Sequence, residues 1–167
     1  MSTPELVQSF VDGAREYVRR AIGVELDGTP ESLAFVDHYV ERCRTPALAD
    51  DLLALTATAL GAYFGELAIA RFGGHWVLDG DPASWQVALE VGDLRIRPVA
   101  IAALALRSGE VEGYDGSLST RPEWMDRLAD ALAQAPPVDQ DYYYSLTGRF
   151  ETLEHAADLL TELGRTT

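Results

Sequence analysis

Apolar positions recur at helical spacing from Pro4 to about Ile22. Leu6, Val7, Phe10, Val11, Ala14, Tyr17, Val18, Ala21 and Ile22 form one wide stripe. Gly23 is the expected stop. A second helix is predicted from Pro30 to about Cys43, with Leu33, Val36, Val40 and Cys43 facing inward. A third, from Pro46 to Phe72, is apolar nearly all round, which marks a helix enclosed by other elements. Thr3-Pro4, Thr29-Pro30 and Thr45-Pro46 each set a hydroxyl before a proline, the pattern of a capped helix start. Thr120-Arg121-Pro122-Glu123 reads as a capping box.

After Gly73-Gly74 the period changes. His75 to Leu78 reads as a short strand, Asp79-Gly80-Asp81-Pro82 as a turn, and Trp85 to Val91 as an alternating strand with Val87, Leu89 and Val91 on one face. Gly92-Asp93 suits a two-residue turn into Leu94–Arg97. That turn sets Val91 opposite Leu94, Glu90 opposite Arg95 and Leu89 opposite Ile96, pairing apolar with apolar and acid with base. Pro98 to Leu106 returns to helix, and 108–119 reads as a loop. A helix from Arg121 to Ala135 ends at Pro136-Pro137, and a last one runs from Leu146 or Arg149 to Leu163, with Leu153, Ala157, Leu160 and Leu163 inward. No internal repeat or low-complexity linker interrupts the chain. The expectation is a single α+β domain over 1–167: a helical body around the apolar helix 46–72, with a small antiparallel sheet at 75–97.

Composition refines this. At 47% apolar and 24% charged, 167 residues suffice for one packed core. The formal net charge of −14 and pI near 4.4 oppose contact with nucleic-acid phosphates or anionic membranes. A basic protein partner suits that charge; so does plain solubility. Residues 52–72 are long enough to cross a bilayer, but Glu66 and Arg71 inside the run favour a buried helix. All thirteen basic residues are arginine, and asparagine is absent too, as in GC-rich bacterial genomes. Without lysine there is no Schiff-base chemistry and no P-loop. One cysteine, Cys43, permits no internal disulfide and reads as a small core residue. The acidic start lacks a signal-like apolar run, which predicts a cytoplasmic protein.

Glu66 is the carboxylate that stands inside the apolar helix. It must be paired, exposed or neutralised. Arg71 is five positions on, so Arg95 or Arg97 of the hairpin are its candidate partners. Gly61 and Gly65 give the helix a thin face for close approach, since a helical glycine costs about 1 kcal/mol against alanine. A structural role for Glu66 within that contact ranks ahead of catalysis. The alternative is a small-ligand or enzyme pocket built from Glu66, His75, Arg95 and Arg97.

Tyr63-Phe64-Gly65-Glu66, Arg71-Phe72-Gly73-Gly74-His75-Trp76-Val77 and a hairpin entering Pro98 together make a recognisable string. Over about residues 48–110 it resembles an uncharacterised bacterial domain family with a Tyr-x-Gly-Glu helix, a Gly-Gly-x-Trp turn, a strand pair and a proline-started helix. The resemblance implies an α+β bacterial domain and carries no activity with it.

Catalytic and metal motifs are missing from the sequence. His38, His75 and His155 are scattered; His38 with Asp37 and Glu41 is read as a polar helix face rather than a metal pair. Asp79-Gly80-Asp81 lacks the rest of a calcium loop. No cofactor and no metal are expected. In 136–150, Asp139 and Asp141 precede Tyr142, Tyr143 and Tyr144 in an expected loop, and with Trp124 they suggest an acidic, aromatic recognition patch. The leading expectation is therefore an interaction module, an adaptor or an immunity-type inhibitor of a basic protein. A ligand pocket at Glu66 and His75 and a subunit of a homo-oligomer are the alternatives.

Overall fold

A computed structural model describes residues 3–44 and 48–166. Its centre is α3 (Asp50–Phe72), buried on nearly every side. The predicted Thr45-Pro46 start lies outside the described residues; α3 opens at Asp50, after an extended Ala49. By length and apolarity α3 can cross a membrane, yet its most apolar window is 72% buried inside the fold. Its apolar surface is consumed by neighbours: α1 (Glu5–Ile22) on one side and α4 (Pro98–Arg107) on the other.

Of the stripe on α1, Val7, Val11, Ala14 and Val18 are buried, while Leu6 and Ala21 face outward. The periodicity predicted the element; packing selected the narrower face. Gly23 ends α1 in the left-handed conformation, its N–H donating to Arg19 O at 2.9 Å. A 3-10 turn (Pro30–Ser32) leads into α2 (Leu33–Cys43), which buries Leu33, Val36 and Val40 and leaves Cys43 half-buried.

The glycine pair explains how α4 approaches. A Cβ on Gly61 would stand 2.5 Å from Val99 Cα, and one on Gly65 2.3 Å from the Trp76 ring. Only hydrogen fits at both places, so α4 lies against the α3 backbone and the indole fills the notch beside it.

The sheet has the order β1-β2-β3, antiparallel throughout: β1 (Gly74–Val77), β2 (Gln86–Leu89) and β3 (Arg95–Ile96). Val87 faces Ile96 and Ala88 faces Arg95, and Leu89 N–H donates to Leu94 O at 2.8 Å. The predicted hairpin register is thus corrected by two residues. Glu90 to Asp93 form a four-residue loop, with Gly92 and Asp93 at positive φ. A slip of two preserves facing, so Val87, Leu89, Leu94 and Ile96 are buried as expected. Glu90 leaves Arg95 and sends its N–H to Gly73 O at 3.1 Å.

The remaining helices are α5 (Pro122–Ala133), α6 (Gln140–Tyr144) and α7 (Leu146–Thr166). Leu153, Ala157, Leu160 and Leu163 of α7 face the core, as predicted. Among the described residues, the predicted threonine caps Thr3, Thr29 and Thr120 are not used as caps. Thr3 donates its hydroxyl to Glu66, Thr29 to Asp27 at 2.6 Å, and Thr120 to the Gly92 carbonyl. The architecture is α+β: a helical body around α3 with one small antiparallel sheet.

Candidate functional site

The Glu66 corner resolves first. Glu66 is half-buried, and both oxygens are engaged: Oε1 accepts the Thr3 hydroxyl, and Oε2 accepts the Trp76 indole N–H at 2.8 Å. Neither partner is the expected arginine. The pleat explains why. Trp76, Val87 and Ile96 line the core face of the sheet, while His75, Ala88 and Arg95 are paired across the opposite, outer face. Arg95 meets Gln86 Oε1 at 3.1 Å, and Arg97 meets Asp115 at 3.5 Å. The four residues Glu66, His75, Arg95 and Arg97 are therefore not brought together.

The aromatic stretch folds differently from the expected loop. Tyr142, Tyr143 and Tyr144 lie on the short helix α6. Asp139 caps it, accepting the Tyr142 N–H at 2.8 Å. Gly148 lets α6 settle on α7, for a Cβ there would fall 2.0 Å from the Tyr142 carbonyl oxygen. The phenols are tied to carboxylates: Tyr142 donates to Glu151 at 2.5 Å and Tyr144 to Glu110 at 2.7 Å. Each hydrogen bond favours the neutral phenol and pushes its pKa up to about 12. Tyr143 stacks edge-on against Tyr144, with centroids 4.9 Å apart. Tyr142 and Tyr143 remain exposed.

Trp124 does not belong to this group. It is buried on α5, under the Arg121 guanidinium at 3.9 Å from the ring centroid. The patch is therefore α6 and its carboxylates, without the tryptophan.

Between α2 and α6 runs a cleft of about 820 Å³. Asp37, Glu41 and Arg44 form one wall; Asp139, Asp141 and Tyr142 form the other. Asp141 accepts the Ser108 hydroxyl and lies 3.9 Å from Arg44, whose other nitrogen donates to Ala105 O at 2.7 Å. Four carboxylates and one guanidinium thus line the cleft, with Asp139 also engaged as a helix cap.

Asp37 has a role that sequence reasoning missed. From α2 it caps the start of α7, accepting the N–H of Leu146 at 2.7 Å and of Thr147 at 3.1 Å, and the Thr147 hydroxyl at 2.5 Å. Burial pushes its carboxyl up, against the pull of those hydrogen bonds. His38 beside it is exposed, which fits a polar helix face. Cys43 sits against Tyr39, and burial raises its thiol pKa, the reverse of what a nucleophile needs.

No protein-family profile matches the chain, and neither a curated protein nor a solved structure shows detectable similarity to it.

Proposed function

We propose that this chain is a protein-interaction module of the bacterial cytoplasm that binds a basic segment of a partner protein, as an adaptor or an immunity-type inhibitor. The observation that carries the reading is the α2–α6 cleft, where Asp37, Glu41, Asp139 and Asp141 outnumber Arg44 and the Tyr142 ring closes the end. An arginine or lysine side chain entering there exchanges water for carboxylates and a phenol ring. Tyr143, exposed on the adjoining face, adds rigid contact area at low entropic cost. The net charge of −14 speeds the approach of a cationic partner.

The test is affinity capture from bacterial lysate at low and moderate salt, read by mass spectrometry. The second bait carries Glu41→Gln, Asp141→Asn and Tyr143→Ser; these side chains cap no helix in the fold. The expected result is a stoichiometric basic protein, held less firmly as salt rises and lost with the second bait. Capture of no basic protein at either salt, or equal capture by both baits, overturns the reading.

A further inference from the structure

On the other side of α6 lies a second cavity, of about 1020 Å³, between α5 and α7. It is larger than the acidic cleft and differs from it in chemistry. Met125, Leu128 and Leu132 of α5 and Pro137 and Val138 of the following link give it an apolar wall. Tyr142 and Tyr143 close one end. Its volume is that of a site for a small organic molecule.

Arg149 of α7 also lines this cavity, and it is 8% exposed. One guanidinium nitrogen donates to the Gly116 carbonyl, and the Tyr143 ring centroid lies 5.6 Å from the guanidinium carbon. Among the described residues no carboxylate stands within ion-pair distance of it. Glu151, the acid on the same wall, already accepts the Tyr142 hydroxyl. A guanidinium has five N–H donors and cannot lose its charge. Buried beside apolar surface, it is costly without a counter-charge.

We infer that the α5–α7 cavity binds an amphipathic monocarboxylate, its carboxylate on Arg149 and its apolar body against Leu128, Leu132 and Val138. A single negative charge matches the single buried cation. A multiply charged anion would leave charge unmatched inside a protein already at −14. An uncharged hydrocarbon would leave the guanidinium unanswered.

The probe is decanoate below its micellar concentration, titrated calorimetrically into the whole chain, with decan-1-ol as the uncharged control. The expected result is saturable binding of one decanoate per chain, with decanol weaker by about tenfold or more, the scale of a lost charged hydrogen-bond pair. Arg149→Gln erases the preference for the acid over the alcohol. Because Arg149 is buried, a second variant protects the test from misfolding. Ala129→Trp changes an exposed helix position that lines the cavity, and should abolish decanoate binding while the circular dichroism spectrum stays native. Ala129 does not line the acidic cleft, so partner capture should survive Ala129→Trp and the two readings fail separately. Absent or non-saturable decanoate binding, equal binding of the alcohol, or undiminished binding in folded Ala129→Trp overturns the inference.

Discussion

The indole N–H of Trp76 donates to Glu66 Oε2 at 2.8 Å, beside the notch that Gly65 leaves in α3. The carboxylate fixes the ring that fills the notch, and the hydroxyl of Thr3 holds its other oxygen. Glu66→Ala should therefore cost about 1–3 kcal/mol in urea unfolding, the penalty of an orphaned donor. Glu66→Gln keeps an accepting oxygen and should cost less. In a Trp76→Phe background most of the Glu66→Ala cost should vanish. Equal costs in both backgrounds would show that the pair does not hold the corner.

Gly61 and Gly65 admit no side chain without movement of Val99 backbone or the Trp76 ring. Alanine normally stabilises a helix relative to glycine. Here Gly61→Ala and Gly65→Ala should each destabilise, by about 1–3 kcal/mol or more from overpacking. A gain in melting temperature for either would refute the close approach.

Asp37 holds its proton more tightly when folded than unfolded, because burial raises its pKa from the ordinary 3.8. The sign follows by linkage: stability falls as pH rises from that value to the folded pKa, and is level above it. Asp37→Asn keeps an acceptor for the α7 cap and should lose this slope. Asp37→Ala removes the cap and should cost about 1–2 kcal/mol at neutral pH. Unfolding curves taken between acidic and neutral pH distinguish the two variants.

Tyr142 and Tyr144 should ionise late, near pH 12, since each phenol donates to a carboxylate. Their stabilising contribution is complete below the ordinary value of 10 and is lost between 10 and about 12. Following phenolate absorbance in Tyr142→Phe and Tyr144→Phe should show the late steps disappear one by one. Ionisation of both at the ordinary value would mean the hydrogen bonds are not held in solution.

Cys43 should react slowly with a thiol reagent at neutral pH, because burial raises its pKa and the half-buried sulfur is poorly presented. Denaturant should accelerate the reaction. Immediate labelling of the native protein would contradict the packing of α2.

What the sequence revealed depended on how local the cause was. Gly61 and Gly65 were legible because glycine four residues apart inside a helix needs a packing reason, and here it is Val99 and Trp76. The hairpin was legible in parity but not in phase: alternation assigns faces, and both registers bury Leu89 and Ile96. The threonine caps misled because a hydroxyl before proline is a local signal, whereas Thr3 and Thr120 serve residues 63 and 28 positions away. Asp37 was hidden for the same reason, 109 residues from its nearest partner. Helix α6 is too short to show a period, and Trp124 is taken into the core on α5 beneath Arg121.

The corner at Gly65 also bears on how quickly the protein comes apart. Glu66, Trp76 and Pro98 meet there from three elements, joined by Thr3 from the segment before α1, across sequence gaps of up to 63 residues. The Trp76–Glu66 contact spans ten residues and is local, whereas the Thr3–Glu66 contact gives no return until a long loop has closed. Loss of the Thr3 hydroxyl should therefore appear mainly in the unfolding arm of the kinetics, leaving the folding arm near its original speed. On that expectation the Thr3–Glu66 bond is a latch, closing late and prolonging the native state.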